Sequence, residues 1–175
     1  LEIKGKRLIG DKARLQLRYR FDNISALDSG YDYLQGLRHR AEIEGNRDFG
    51  RLNLGLAYEY ENNDREDLDT GTTFSNYSPV RHAATLKGNV RLSSHWKLLS
   101  QFGYRYSDYD EPNLLTGGTT VSRSDEQLRV GLRLEGNPYA EWHIHTAYDH
   151  TENSSNIDDF DYNHDIFTAG VSWAF

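Results

Sequence analysis

The side chains that could carry out chemistry are few, and histidine supplies the most suggestive of them. The chain has 7 His but no Cys, which excludes disulfides, thiolate metal ligands and a thiol nucleophile. His143 and His145 stand two residues apart, a spacing that can bind a metal. No carboxylate or third histidine stands at a sequence separation typical of a metal-binding motif. We therefore expect no metal site and no cofactor. His150 precedes Ser154 and Ser155, and a histidine can activate a serine hydroxyl as a nucleophile.

Two acidic segments could in principle hold a divalent cation. Asp158-Asp159-Phe160-Asp161 and the stretch from Asp64 to Asp69 are rich in carboxylates. Neither has the glycine and the spaced ligands of a calcium-binding loop. We interpret both as solvated loop segments.

The composition limits the class of protein. Lys and Arg total 20 against 27 Asp and Glu, a formal net charge of -7, so we do not expect nucleic-acid binding. Aromatic residues make up 13% of the 175 residues, which is far too many for a disordered tail. No run approaches the roughly 18–20 apolar residues that a membrane-spanning helix needs. We therefore expect a folded chain without transmembrane helices.

The apolar residues alternate with a period of two. Between Leu52 and Tyr60 the even positions hold Leu or Tyr, whereas the odd positions hold Asn, Gly, Ala and Glu. The stretch that starts at Trp96 and the one that starts at Leu128 alternate in the same way. Alternation at this period predicts β-strands with one apolar and one polar face.

Eight strands can be predicted from this pattern. They span residues 12–22, 33–47, 50–62, 80–93, 96–109, 123–136, 140–152 and 162–175. Residues 1–8 also alternate, and we interpret them as the possible end of a strand that begins upstream. Residues 1–175 then form a single domain.

The connections between the predicted strands alternate in length. Short turns lie near Phe49, Ser94 and Pro138, whereas the loops around Asp67 and Leu115 are long and polar. Short turns at one end and long loops at the other are typical of bacterial outer-membrane barrels. The sequence therefore predicts an all-β fold, an antiparallel up-and-down transmembrane β-barrel with its long loops outside the cell.

The end of the chain carries the most specific local pattern. Phe167, Ala169, Val171, Trp173 and Phe175 alternate up to a terminal Phe. This pattern resembles the C-terminal signature by which the barrel assembly machinery recognises outer-membrane barrels. The resemblance implies the outer membrane of a Gram-negative bacterium, with its lipids, its lipopolysaccharide and that machinery as partners. It also implies that Phe167, Val171, Trp173 and Phe175 form the assembly signal.

A second resemblance covers about forty residues. The run from Tyr77 to His82, with Trp96 and the segment from Tyr104 to Ser107, resembles C-terminal barrels of tetratricopeptide-containing outer-membrane proteins. Several of those export exopolysaccharide or lipoproteins. This chain contains no tetratricopeptide repeat.

The polar faces of the predicted strands carry most of the basic residues. We predict that these side chains line the lumen and contact anions, because the guanidinium fork of Arg pairs with carboxylates and phosphates. The predicted anion-contacting residues are Arg14, Arg18, Arg38, Arg40, Arg81, Lys87, Arg105, Arg129 and Arg133.

Two architectures remain open at this point. A complete eight-stranded barrel would have an interior filled by side chains, with Arg paired to Glu42, Glu44, Glu59 and Glu61, and would act as a membrane anchor or surface-interaction module. Alternatively, the chain is the C-terminal part of a larger, water-filled barrel. The hypothesis we favour is a porin-like conduit for small anions or acidic saccharides, without enzymatic activity.

A minor alternative is a hydrolase that modifies lipid A, in which His150 would activate Ser154 or Ser155. The His-x-Ser-Asn pattern of such deacylases is not met in this sequence.

Overall fold

Nine long antiparallel strands form one sheet in the computed structural model, which describes residues 1–173 and, at Ser29, the backbone alone. Four strands of two residues lie in the loops. In chain order the strands are β1 Glu2–Ile9, β2 Ala13–Ile24, β3 Gly36–Asp48, β4 Leu52–Arg65, β5 Leu68–Asp69, β6 Phe74–Ser75, β7 Pro79–Arg91, β8 Trp96–Tyr109, β9 Asn113–Leu114, β10 Thr120–Val121, β11 Ser124–Gly136, β12 Trp142–Ser155 and β13 Tyr162–Trp173. Within the described residues, no helix is long and apolar enough to cross a membrane.

The large sheet follows the chain from one edge to the other. Its order is β1-β2-β3-β4-β7-β8-β11-β12-β13, and every neighbouring pair is antiparallel. The short turns all lie at one end of the strands and the long loops at the other, as the sequence predicted. The all-β, antiparallel up-and-down arrangement is therefore confirmed.

The number of strands differs from the prediction. Residues 1–8, which we interpreted as the possible end of a strand, lie almost entirely in strand β1, and β1 pairs with β2 over its whole length. The edge of β2 that a closed eight-stranded barrel would join to β13 is thus occupied. Within residues 1–173, β1 pairs only with β2 and β13 pairs only with β12, so the sheet is open.

The observed strand boundaries differ most from the predicted ones at the long-loop end. β4 and β12 each run three residues further than predicted, to Arg65 and Ser155. The predicted start of the second strand lies instead in a 3-10 helix, Ser29–Leu34. The Asp28 carboxylate caps that helix by accepting a hydrogen bond from the Gly30 N–H at 2.9 Å.

The two faces of the sheet have the predicted polarity. In β4, Leu56 is 60% exposed on the outer face, whereas Glu61 is 5% exposed on the opposite face. Gln127 and Asn153 are also buried on this second face. Polar side chains thus pack against one another on a concave inner face, and the apolar side chains point outward where lipid would meet them.

Candidate functional site: the charged concave face

The inward-facing side chains of the nine strands align in rows across the sheet. One row crosses every long strand and mixes both charges with small and amide side chains. In strand order it contains Lys4, Arg18, Glu42, Glu59, Ala83, Arg105, Gln127, Asn153 and Tyr162. All nine predicted anion-contacting residues have the parity of this row on their strands, so they lie on the same polar face.

The basic residues nearest the long-loop end are held by carboxylates. Asp22 accepts from Arg38 Nη2 at 2.9 Å and from Arg40 Nη2 at 3.2 Å. Glu61 lies 2.6 Å from Arg81 Nη1 and 3.9 Å from Arg40 Nε. The register explains this grouping, because Arg40 and Arg81 flank Glu61 on the two neighbouring strands.

Three more of the predicted residues are paired further along the strands. Arg18 lies 3.4 Å from Glu42, and Lys87 lies 2.8 Å from Glu44. Glu135 accepts from Arg133 at 2.7 Å. Six of the nine predicted anion-contacting residues thus already have a carboxylate partner within the protein. These pairs depend on the register between strands, which the sequence does not reveal.

Three predicted residues keep their charge unpaired. Within the described part of the chain, Arg14, Arg105 and Arg129 form no hydrogen bond or ion pair. Arg105 and Arg129 are diagonal neighbours on β8 and β11, because Arg105 stands opposite Gln127 and Arg129 opposite Gly103. Two adjacent guanidinium groups without a carboxylate repel each other, so an anion between them would be stabilised.

A cavity of about 290 Å³ opens in front of these two arginines. Small side chains on the neighbouring strands leave the space, and they are Ala57, Ala83, Thr85 and Gly103. Glu42 and Glu59 line the opposite wall of the cavity. Glu59 forms no ion pair within residues 1–173, in contrast to the predicted pairing of this residue with arginine.

Sequence reasoning missed the residues that order the long loops. The guanidinium of Arg123 lies between two aromatic rings, 4.3 Å from the Tyr109 centroid and 3.4 Å from that of Phe160, and donates to Asp125 at 2.6 Å. Arg123 thus joins the connection between β8 and β11 to the loop between β12 and β13. The isolated Arg between Ser122 and Ser124 gave no periodic signal by which it could have been found.

The acidic loop segments are also more ordered than predicted. Asp67 adopts a left-handed backbone, with φ of 58°, and accepts hydrogen bonds from the Tyr77 N–H and the Ser78 hydroxyl. Asp161 accepts from the Ser155 N–H. The strands β5, β6, β9 and β10 then form a small second sheet above the strand ends. Both acidic segments are largely exposed to solvent, as expected, and Asp67 and Asp161 in addition hold loop backbone.

The residues of the hydrolase alternative do not come together. His150 Nδ1 lies 2.8 Å from Asp165 Oδ1 on the outer face. Ser154 and Ser155 continue the same strand, and four residues of extended chain separate Ser154 from His150 by roughly 13 Å. Ser155 Oγ instead contacts the Ser124 carbonyl at 3.4 Å. His150 therefore has a carboxylate partner but no serine within hydrogen-bonding reach.

The paired histidines near the short turns lie on the concave face. The rings of His143 and His145 are 6.0 Å apart, and His143 Nδ1 lies 2.9 Å from Asn137 Oδ1. Within residues 1–173, no group of three or more His, Asp or Glu side chains could hold a metal ion.

The predicted assembly signal lies on the outer face of the edge strand β13. Phe167 is 79% exposed and Val171 61% exposed, and the Trp173 ring stacks on Trp142 with centroids 6.3 Å apart. Phe175 lies outside the described residues. The alternating apolar side chains are thus available to a partner at the sheet edge.

Comparison with known proteins agrees with this architecture. A family model described as an outer membrane protein beta-barrel domain matches residues 9–175, which include the eight long strands from β2 to β13. No curated protein and no solved structure matches the chain significantly. On its alternating strands, its loop asymmetry and this match, the chain belongs to the outer membrane protein beta-barrel domain family and is a protein of the bacterial outer membrane.

Proposed function

We propose that the protein is a conduit through the outer membrane for anionic solutes, either small anions or acidic saccharides. The observation that carries this proposal is the pair Arg105 and Arg129, two unpaired guanidinium groups that face a cavity on the concave side. Unpaired charge in a dry interior would cost several kcal/mol. Water in the lumen removes that cost and leaves both groups free to attract anions.

The direction of the edge strands favours a barrel wider than eight strands. β1 and β13 both run from the long-loop end to the short-turn end, so pairing them directly would create a parallel pair in an otherwise antiparallel sheet. Unpaired backbone groups are not tolerated in lipid, so both edges need partners. An odd number of further strands would complete an even, fully antiparallel barrel.

The alternative is a closed barrel that serves as a membrane anchor or surface-interaction module without enzymatic activity. The ion pairs of β2 to β7 favour it, because Asp22, Glu42, Glu44 and Glu61 neutralise that part of the wall. A barrel filled by such pairs would conduct no solute.

Conductance across a planar bilayer separates the two functions. We expect the native protein, extracted from the outer membrane and reconstituted, to give discrete channels whose reversal potential in a salt gradient shows anion preference. Replacing both Arg105 and Arg129 with Gln should move the reversal potential toward cation selectivity. Arg14→Gln is the matched control, because Arg14 is also an unpaired concave-face cation but lies outside the cavity. Folded protein without channel events would contradict the conduit and support the anchor.

A further inference from the structure

The cavity on the concave face has charges of opposite sign on its two walls. Glu59 and Arg105 stand in one row with Ala83 between them. Neighbouring strands are about 4.8 Å apart, so the Cα atoms of these two residues are separated by about 10 Å. Neither side chain has an ion-pair partner within residues 1–173. The short side chain of Ala83 leaves the space between the two charges open.

Unsatisfied polar atoms line the same cavity. Gln127 is 1% exposed, its Nε2 donates to the Tyr162 hydroxyl at 2.6 Å, and its Oε1 has no hydrogen-bond partner. Arg105 Nε and Glu42 Oε1 are also buried without a hydrogen-bond partner. Buried polar atoms are normally satisfied, so these atoms are open to hydrogen bonds from lumen water or from a bound solute.

We propose that this cavity is a binding subsite for solutes that carry both a positive and a negative group, such as acidic saccharide units with a free amine. This inference rests on the proposed conduit and specifies its substrate class. The carboxylate or phosphate of the solute lies between Arg105 and Arg129, where two guanidinium forks can donate to it. The amine lies at Glu59, which is the free carboxylate on the opposite wall.

Both walls are needed for this selectivity. A purely anionic solute gains the arginines but leaves Glu59 uncompensated and is repelled by it. A purely cationic solute is attracted by Glu59 but is repelled by the two arginines. A solute with both groups separated by several ångströms satisfies the two walls at once, so its affinity exceeds that of either singly charged analogue.

The experiment measures binding of three probes of equal length to the full chain in detergent micelles by titration calorimetry. The probes are 6-aminohexanoate, hexanoate and hexylammonium. We expect 6-aminohexanoate to bind at least about fivefold more tightly than either other probe, an increment of the size that one partly exposed ion pair supplies. Equal affinities for 6-aminohexanoate and hexanoate would overturn the proposal.

Substitutions on each wall test which end of the solute that wall binds. Glu59→Gln keeps the shape of the side chain and breaks no ion pair, so the protein should fold and bind 6-aminohexanoate and hexanoate equally. Arg105→Gln with Arg129→Gln should lose binding of both carboxylates, whereas Arg14→Gln should change nothing. An unchanged ratio of the two affinities in Glu59→Gln would also overturn the assignment.

The outcome is distinguishable from failure of the conduit itself. Anion-selective channels without preferential binding of 6-aminohexanoate would support the proposed conduit and contradict the two-charge subsite. Preferential binding of 6-aminohexanoate by a protein that forms no channels would support the subsite and contradict the conduit.

Discussion

Tyr58 Oη and His82 Nδ1 lie 2.6 Å apart on the outer face of the sheet, joined diagonally across β4 and β7. Tyr58 stands opposite Ala84, and its hydroxyl reaches the side chain two residues nearer the long loop. The strand pair thus gains a polar contact on the face that meets lipid. The hydroxyl is thereby satisfied without a side-chain partner from the lumen.

The same diagonal recurs at two other strand pairs joined by long loops. Tyr19 Oη lies 2.7 Å from His39 Nδ1, and Tyr148 donates to Asp165 at 2.8 Å. In each case the partner lies two residues beyond the position directly opposite the tyrosine. Tyr19, Tyr58 and Tyr148 are therefore hydrogen-bonded on the outer face in a repeated geometry.

Removing one of these hydroxyls should destabilise the strand pair. Tyr58→Phe leaves His82 Nδ1 without its partner and should lower the unfolding free energy by about 1 kcal/mol. Tyr60→Phe is the control, because Tyr60 lies on the same face of the same strand and its ring contacts His82 without a hydrogen bond within the described residues. Urea unfolding in lipid vesicles measures both changes, and equal losses would contradict a role for the hydrogen bond.

Breaking the ion pairs at Glu61 should cost more than removing the free charge of Glu59. Glu61→Gln leaves Arg40 and Arg81 without the carboxylate that joins them, and we expect a loss of about 3 kcal/mol in unfolding free energy. Glu59→Gln lies two residues away on the same strand and should be near neutral. A larger loss from the Glu59 variant would show that the ion pairs described for Glu61 do not hold the wall.

A charge on the outer face should be poorly tolerated in the membrane. Leu132→Arg should reduce the unfolding free energy in lipid vesicles by roughly 2–4 kcal/mol if the residue lies near the bilayer midplane. Gln101→Arg is the matched control, since Gln101 faces the lumen and stands opposite Gly131, next to Leu132 in β11. Similar losses at the two sites would mean that the faces of the sheet are assigned to the wrong environments.

The long loops should be accessible from outside the cell. The chain has no Cys, so a single Thr116→Cys substitution in the long loop between β9 and β10 introduces a unique thiol. A membrane-impermeant maleimide added to whole cells should label it. Ser94→Cys, in a short turn, should be labelled only after the outer membrane is permeabilised. Labelling of Ser94→Cys alone in intact cells would reverse the orientation.

The alternation within each strand was sufficient to assign side chains to the lipid-facing or the lumen-facing side of the sheet. The faces follow from the pleat of a single strand, because successive side chains point to opposite sides whatever the strand pairs with. Leu56 and Glu59 could therefore be assigned to opposite faces from the local pattern alone. The loop lengths, likewise read from one stretch of chain, predicted the antiparallel up-and-down order and the outer-membrane class.

Which of the charged residues lack an ion-pair partner became clear only from the pairing of the strands. Ion pairing depends on the register between neighbouring strands. A shift of that register by two residues keeps every side chain on the same face but changes its partner, so the alternation alone does not fix the register. Glu61 meets Arg40 and Arg81 because of that register, whereas Arg105 meets Ala83 and Gln127 and stays unpaired. The contact of Arg123 with Phe160 also joins segments far apart in the chain, so no local pattern could reveal it.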